Sequence, residues 1–271
     1  MSMSVSCEKF GKVLEITLNR PPVNAINLQT STDLYEAFKR LQEDDELSVG
    51  IITHKGGRFF SAGWDLKEFA DKGDEMLESA HYDLGPGGLG GMSEFWGLKK
   101  PVIAAVTGSA IGGGFEMLLS ADMILAAKEV EFWLPEAKLG FLPDGGGLQQ
   151  LPKRLPYNLA SELMLTGRKL GMEEAKHHGL VSQVLDADQV LARAHEVASV
   201  IAEAAPLPLQ AMKEVMALST SLTVEQTFVQ TRKAWIGGSE LPMFEKMLNS
   251  DDYLEGSRAF SEKRPPIYKG R

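Results

Sequence analysis

Two glutamates stand out in this 271-residue chain by their surroundings. Glu116 follows a glycine triplet in GSAIGGGFE (Gly108–Glu116), and Glu136 follows a proline in FWLPEAKLGFLPDGGG (Phe132–Gly147). An acid between apolar flanks is either paired or functional. Two carboxylates on different elements can share one water-excluded site. Burial and mutual repulsion then push their pKa values apart, leaving one acid and one base at neutral pH. Two unrelated surface glutamates fit the same letters.

The backbone around them has its own chemistry. A glycine triplet after a buried strand lets the chain approach a ligand and lets N–H groups converge without Cβ obstruction. If a helix begins there, its free N–H groups and dipole favour negative charge. Taken alone, GGGFE fits a tight strand–helix turn with a solvated glutamate equally well. It lacks the Lys-Ser/Thr of a P-loop, so phosphate cradling is not supported. In FFSAGWDLK (Phe59–Lys67) small residues before Trp64 allow a sharp turn whose N–H could enter the same cavity. An ordinary loop with Trp64 packed in the core is the alternative.

Periodicity supplies the elements that must position these groups. VLEITLN (Val13–Asn19) alternates as a half-buried strand does. Ser31 or Thr32 is placed to cap a helix with Leu34, Ala37, Phe38 and Leu41 on one face. VGIIT (Val49–Thr53) and PVIAAV (Pro101–Val106) read as buried strands, TGSAIGGG as a turn, FEMLLSAD as a helix, and MILAA and EFWL as strands. Residues 66–81 read as helical. DLGPGGLGG (Asp83–Gly91) holds five glycines and a proline in nine positions, and predicts a mobile loop, either a flap over a site or a linker. Strand, turn, short helix and strand recur from Val49, which predicts a layered ββα arrangement. Beyond about residue 155 the segments read as successive amphipathic helices, the last with Ser250 as its N-cap. The fold class is therefore α/β, with a ββα core over 1–200 and a helical C-terminal region over 201–271.

Composition narrows the partners. With 28 basic and 37 acidic side chains the net charge is −9, which argues against nucleic acid and anionic membranes as main partners. A few local cations could still hold an anionic small molecule. One cysteine, Cys7, makes no intramolecular disulfide, and the five histidines show no zinc spacing. MSMSVSCEKF has no signal-peptide design, and the apolar run Pro101–Ala127 is interrupted by Glu116 and Asp122. No metal, no membrane association and a cytoplasmic location are expected.

FFSAGWDLK, KPVIAAVTGSAIGGGFE, LPEAKLGFLPDGGG and the terminal AFSEKR, in this order and spacing, resemble the crotonase (enoyl-CoA hydratase/isomerase) superfamily over nearly the whole chain. The resemblance implies a crotonase-like ββα spiral core and a helical C-terminal region that builds homotrimers or dimers of trimers. It implies an acyl-CoA substrate and no other cofactor, since CoA arrives with the substrate. By motif position, the backbone N–H groups of Trp64 and Gly113 form an oxyanion hole. Glu116 and Glu136 match the two glutamates of hydratases, whereas isomerases often keep only the second. On that footing Glu116 handles water and Glu136 handles the α-proton. The CoA moiety lies along Ala62, Trp64, Asp65, Leu66 and Lys67, and Phe260 and Lys263 resemble tail residues that meet adenine and phosphates, often from a neighbouring subunit.

Asp144 departs from the family pattern, where many hydratases have glycine. It reads either as an N-cap before GGGLQQL or as a third carboxylate near the acyl group. The segments together look like the carnitinyl-CoA dehydratase subfamily, which implies reversible dehydration of L-carnitinyl-CoA to crotonobetainyl-CoA. Trp64, Phe95, Trp96, Trp133 and Asp144 are then candidates to meet a trimethylammonium group. A general short-chain enoyl-CoA hydratase, an isomerase and a non-catalytic acyl-CoA- or RNA-binding relative are the alternatives.

Overall fold

A computed structural model describes residues 4–71 and 84–271. Uncharged, β-branched runs such as Val49–His54 and Val102–Val106 are buried at every position, so they need layers on both faces. Two sheets provide them. The first, in spatial order, is β1 (Val5–Phe10), β2 (Val13–Leu18), β3 (Val49–His54), β5 (Val102–Val106), β7 (Met123–Ala127) and β10 (Gln183–Leu185). The second is β4 (Phe59–Ser61), β6 (Ser109–Ile111), β8 (Glu131–Trp133) and β9 (Leu170–Gly171). Only the outer pairs β1–β2 and β8–β9 are antiparallel. Along the chain β3 is followed by β4, β5 by β6 and β7 by β8. Each turn of the path thus adds one strand to each sheet, which is the expected ββα layering.

Helix α1 (Leu28–Glu43) buries Leu34, Ala37, Phe38 and Leu41, as its periodicity predicts. Its cap differs from the expectation. Asn27, not Ser31 or Thr32, is the N-cap, and its side chain accepts the Thr30 N–H at 2.9 Å. Ser31 lies inside the helix, and its hydroxyl accepts the Gly90 N–H at 3.2 Å. TGSAIGGG is not merely a turn either. Ser109–Ile111 pairs as β6, and α2 (Gly113–Leu118) starts two residues later.

The glycine-rich segment is the larger correction. Asp83 and residues 72–81 of the expected 66–81 helix lie outside the described residues, and 66–71 are helical. Gly87 through Gly91 are buried. A Cβ on Gly91 would stand 2.2 Å from the Tyr35 backbone nitrogen, and one on Gly90 would stand 2.4 Å from the Met117 sulfur. These glycines let the segment wedge between α1 and α2, and tight packing replaces the expected mobility.

Beyond β8 come α3 (Glu136–Leu139), α4 (Gly147–Arg154), α5 (Tyr157–Thr166), α6 (Met172–His177), α7 (Val190–Ala202), α8 (Pro206–Ser219), α9 (Val224–Ala234), α10 (Pro242–Leu248) and α11 (Glu255–Glu262). α8 docks on the core through Lys213 Nζ to Asp122 Oδ2 at 2.8 Å and Gln42 Nε2 to Gln210 Oε1 at 3.0 Å. Ser250 makes no side-chain cap; its hydroxyl donates to the Met247 carbonyl, and a 3₁₀ turn (Asp251–Tyr253) intervenes before α11.

Gly91→Ala should lower the urea unfolding free energy by more than about 2 kcal/mol, because it adds a backbone clash to the left-handed strain at φ +73°. Gly11→Ala has the strain (φ +59°) without the clash, and should cost only about 1 kcal/mol.

Candidate active site

β4, β6 and β8 run parallel and adjacent. Ser61 pairs with Ala110, and Ala110 and Ile111 pair with Phe132 and Trp133. All three segments singled out in the sequence therefore leave the same end of one small sheet: Ala62-Gly63-Trp64, Gly112 to Glu116, and Leu134 to Glu136. The carboxyl ends of parallel strands are where α/β sheets place their ligands.

Glycines let these exits interlock. Gly63 has φ +85°, and a Cβ there would lie 2.7 Å from the Ile111 carbonyl oxygen and 2.9 Å from the Gly113 nitrogen. Gly112 donates its N–H to the Trp133 carbonyl at 3.0 Å. A Cβ on Gly112 would meet Glu136 Oε1 at 2.4 Å, so the missing side chain is the room the carboxylate occupies. Gly113 and Trp64 both lie at these exits and line one cavity. Gly113 is the first residue of α2, where N–H groups have no intrahelical acceptor. Ile26 donates to the Gly63 carbonyl and accepts from the Asp65 N–H. That bridging pattern turns the intervening Trp64 N–H to the opposite side.

The exits enclose a cavity of about 320 Å³, within the range of small-ligand sites. Its walls are apolar (Leu66, Leu84, Leu89, Ile111, Leu139 and Leu142) and aromatic (Trp64, Phe69 and Phe141). Glu116, Glu136 and Asp144 are its charged residues. Glu116, in the first turn of α2, is 3% exposed, and its Oε1 accepts the Gly147 N–H at 2.9 Å. It thereby satisfies the start of α4, whose N-cap is Gly146 and not Asp144. Burial pushes its pKa up to about 8; Glu136 and Asp144 add repulsion, and the N–H groups of Gly147 and Gly145 pull it back. Burial pushes Glu136 up to about 6, with Asp144 adding to the rise. Glu136 Oε2 is buried without a hydrogen-bond partner among the described residues. A mainly apolar cavity thus holds two carboxyls of different acidity together with the backbones of Trp64 and Gly113. That set can move a proton on and off adjacent carbons while stabilising an oxyanion.

Residues 8–271 match the family model described as enoyl-CoA hydratase/isomerase. The chain belongs to the enoyl-CoA hydratase/isomerase family. It is an enzyme of the hydro-lyase class. It is 44% identical to proteins named carnitinyl-CoA dehydratase from Escherichia coli O157:H7 and Shigella flexneri, over the whole of each chain. The fold is that of an enoyl-CoA hydratase from Mycobacterium marinum (TM-score 0.85, 37% identity, 99% of each chain covered). An enoyl-CoA hydratase from Bacillus anthracis superposes with TM-score 0.86 at 32% identity, covering 99% of this chain and all of that one. The ββα architecture is accordingly the crotonase fold.

For this family member, the cavity gathers Ala62, Trp64, Leu66, Gly113, Glu116, Glu136 and Asp144 of the residues predicted from sequence. Asp65 is engaged elsewhere. Its carboxylate pairs with Arg20 at 2.6 Å; burial raises its pKa, but the Arg20 hydrogen bond and charge outweigh this and hold it below the usual range. Lys67 is exposed beside it and is absent from the cavity wall, as are Phe260, 88% exposed on α11, and Lys263.

Three predicted aromatics also point away. Phe95 packs on Tyr35, Trp96 is exposed, and Trp133 carries the Lys169 ammonium over its ring. Their places are taken by Phe69 and Phe141, edge to face at 5.5 Å, which sequence reasoning missed. Phe141 lies inside a family motif, so that signal was present; Phe69 gave none. Among the described residues, no group of three His, Cys, Asp or Glu side chains is placed to hold a metal, and no helix is long and apolar enough to cross a membrane.

Because Glu116 is held protonated by burial, it costs stability as pH rises. A pKa raised from 4.5 to about 8 leaves its contribution intact below 4.5 and lost on approach to 8. Glu116→Gln keeps an acceptor for Gly147 without the charge. At pH 7 it should unfold at higher urea than the unsubstituted enzyme, by about 3 kcal/mol in free energy, with the difference vanishing near pH 4.

Proposed function

We propose that the enzyme catalyses reversible dehydration of L-carnitinyl-CoA to crotonobetainyl-CoA through a thioester enolate. The observation that carries the reaction type is the pair Glu116 and Glu136, desolvated in one cavity at the strand ends with unequal pKa values. At pH 7 the pair holds one proton, on Glu116. The Glu136 carboxylate removes the α-proton. The thioester oxygen takes up the charge and is met by the N–H groups of Trp64 and Gly113, each such donor being worth roughly 100–1,000-fold in rate. Glu116 then protonates the departing β-hydroxyl as water. Hydration runs the same steps backwards, with Glu116 activating water and Glu136 delivering the proton to Cα.

The acyl group is supported by the full-length identity to proteins named carnitinyl-CoA dehydratase. The general short-chain enoyl-CoA hydratase reading is favoured by the names of the structural neighbours. Retention of both glutamates in one cavity weighs against an isomerase or a non-catalytic relative. Phe260 and Lys263, exposed and away from this chain's own cavity, are assigned to the CoA moiety bound by a neighbouring subunit of a homotrimer or dimer of trimers.

Rates of water addition to crotonobetainyl-CoA and crotonyl-CoA, measured side by side, test the reading. Preference for the first is expected; preference for the second would leave the mechanism and replace the substrate. Activity should follow a bell in pH, rising through about 6 and falling through about 8, since one proton on the pair is required. Glu136→Gln should still bind the thioester while turnover drops roughly 100- to 10,000-fold; undiminished turnover would refute its role.

A further inference from the structure

The cavity wall contains three carboxyl groups and, among the described residues, no Lys, Arg or His. Such a site is unusual for an enzyme whose chemistry needs only two acids. The third, Asp144, is exposed to the cavity, and no described residue forms a hydrogen bond or ion pair with its carboxylate. Its charge reaches both Glu116 and Glu136. We propose that Asp144, with the Phe141 and Phe69 rings, forms a specificity subsite for a quaternary ammonium carried on C4 of the acyl chain.

The placement follows from two contacts. Asp144 precedes Gly145, where a Cβ would stand 3.2 Å from Glu116 Oε2. The loop bearing Asp144 therefore borders the carboxyl assigned to the β-hydroxyl. The ammonium nitrogen on C4 is two bonds from that β-carbon, so a substrate seated for reaction carries its charge to the same wall. Phe141 comes from the same loop and meets Phe69 edge to face, giving ring faces against which methylated ammonium is stabilised. Leu142 and Leu66 complete an apolar surface for the methyl groups. A neutral chain gains nothing from Asp144, and a C4 carboxylate is repelled by it.

This inference rests on the hydro-lyase reading, and the test separates the two. Hydration kcat/KM is measured for three substrates differing only at C4: crotonobetainyl-CoA (cation), 5,5-dimethylhex-2-enoyl-CoA (its neutral carbon isostere) and glutaconyl-CoA (anion). The expected order is cation, neutral, anion. Asp144→Asn should lower the cation-to-neutral ratio about tenfold and raise the relative rate on the anion. Phe141→Leu should lower the first ratio about threefold and leave the neutral-to-anion ratio in place. Using ratios removes any effect of Asp144 on the glutamates, which acts on all three substrates alike. An unmoved ratio in Asp144→Asn, or wild-type preference for the neutral isostere, overturns the subsite while hydratase activity stands. Failure to hydrate these three and crotonyl-CoA overturns both readings.

Discussion

The site depends on one constraint, the parallel pairing of three short strands whose ends must meet without side chains between them. β4, β6 and β8 contribute three residues each, too few to hold a sheet by themselves. They persist because each continues from a fully supported strand of the larger sheet. At their exits Gly63, Gly112 and Gly113 sit so close to their surroundings that a Cβ on any of the three would overlap a neighbour. Loss of that approach would move the backbones of Trp64 and Gly113 away from Glu116 and Glu136, although every side chain of the cavity would remain.

The second consequence is electrostatic. Bringing Glu116 and Glu136 into an apolar cavity raises both pKa values, but unequally. Glu116 is the more buried and is also used structurally, accepting the first N–H of α4. One carboxyl thus orders the loop bearing Asp144 and also faces the cavity. The arrangement destabilises the fold near neutral pH, a trade common where function requires a perturbed group.

The remainder of the chain supports this arrangement from outside. α8 is fixed to the core by Lys213–Asp122 and Gln210–Gln42, and Gln42 Oε1 also accepts the backbone N–H groups of Lys99 and Lys100 just before β5. The buried Glu214 accepts the N–H groups of Met243 and Phe244 at the start of α10. α8 is therefore joined to α1 and to the ends of the larger sheet by polar contacts, and α10 to α8.

Local pattern was enough for much of this. Apolar runs and alternation marked β2, β3, β5, β7 and β8, because burial on one or both faces leaves a period in the residues themselves. The glycine triplet marked Glu116, since close backbone approach excludes other residues there, and the apolar flanks beside a proline marked Glu136. What local pattern could not decide was which partner each group would meet. The 87–91 segment has the composition of a loose loop, yet α1 and α2 occupy the space that the missing side chains of Gly90 and Gly91 leave. Ser31 has the chemistry of a cap, but its hydroxyl is taken by Gly90, and Asn27 caps instead. Phe69 and Phe141, 72 positions apart in the chain, became neighbours only when β4 and β8 aligned. Sequence determined five of the strands and marked the two glutamates that share the cavity. Tertiary structure alone decided the walls of the cavity, because a wall is made by segments distant in the chain, and the energy of their contact is written in neither segment separately.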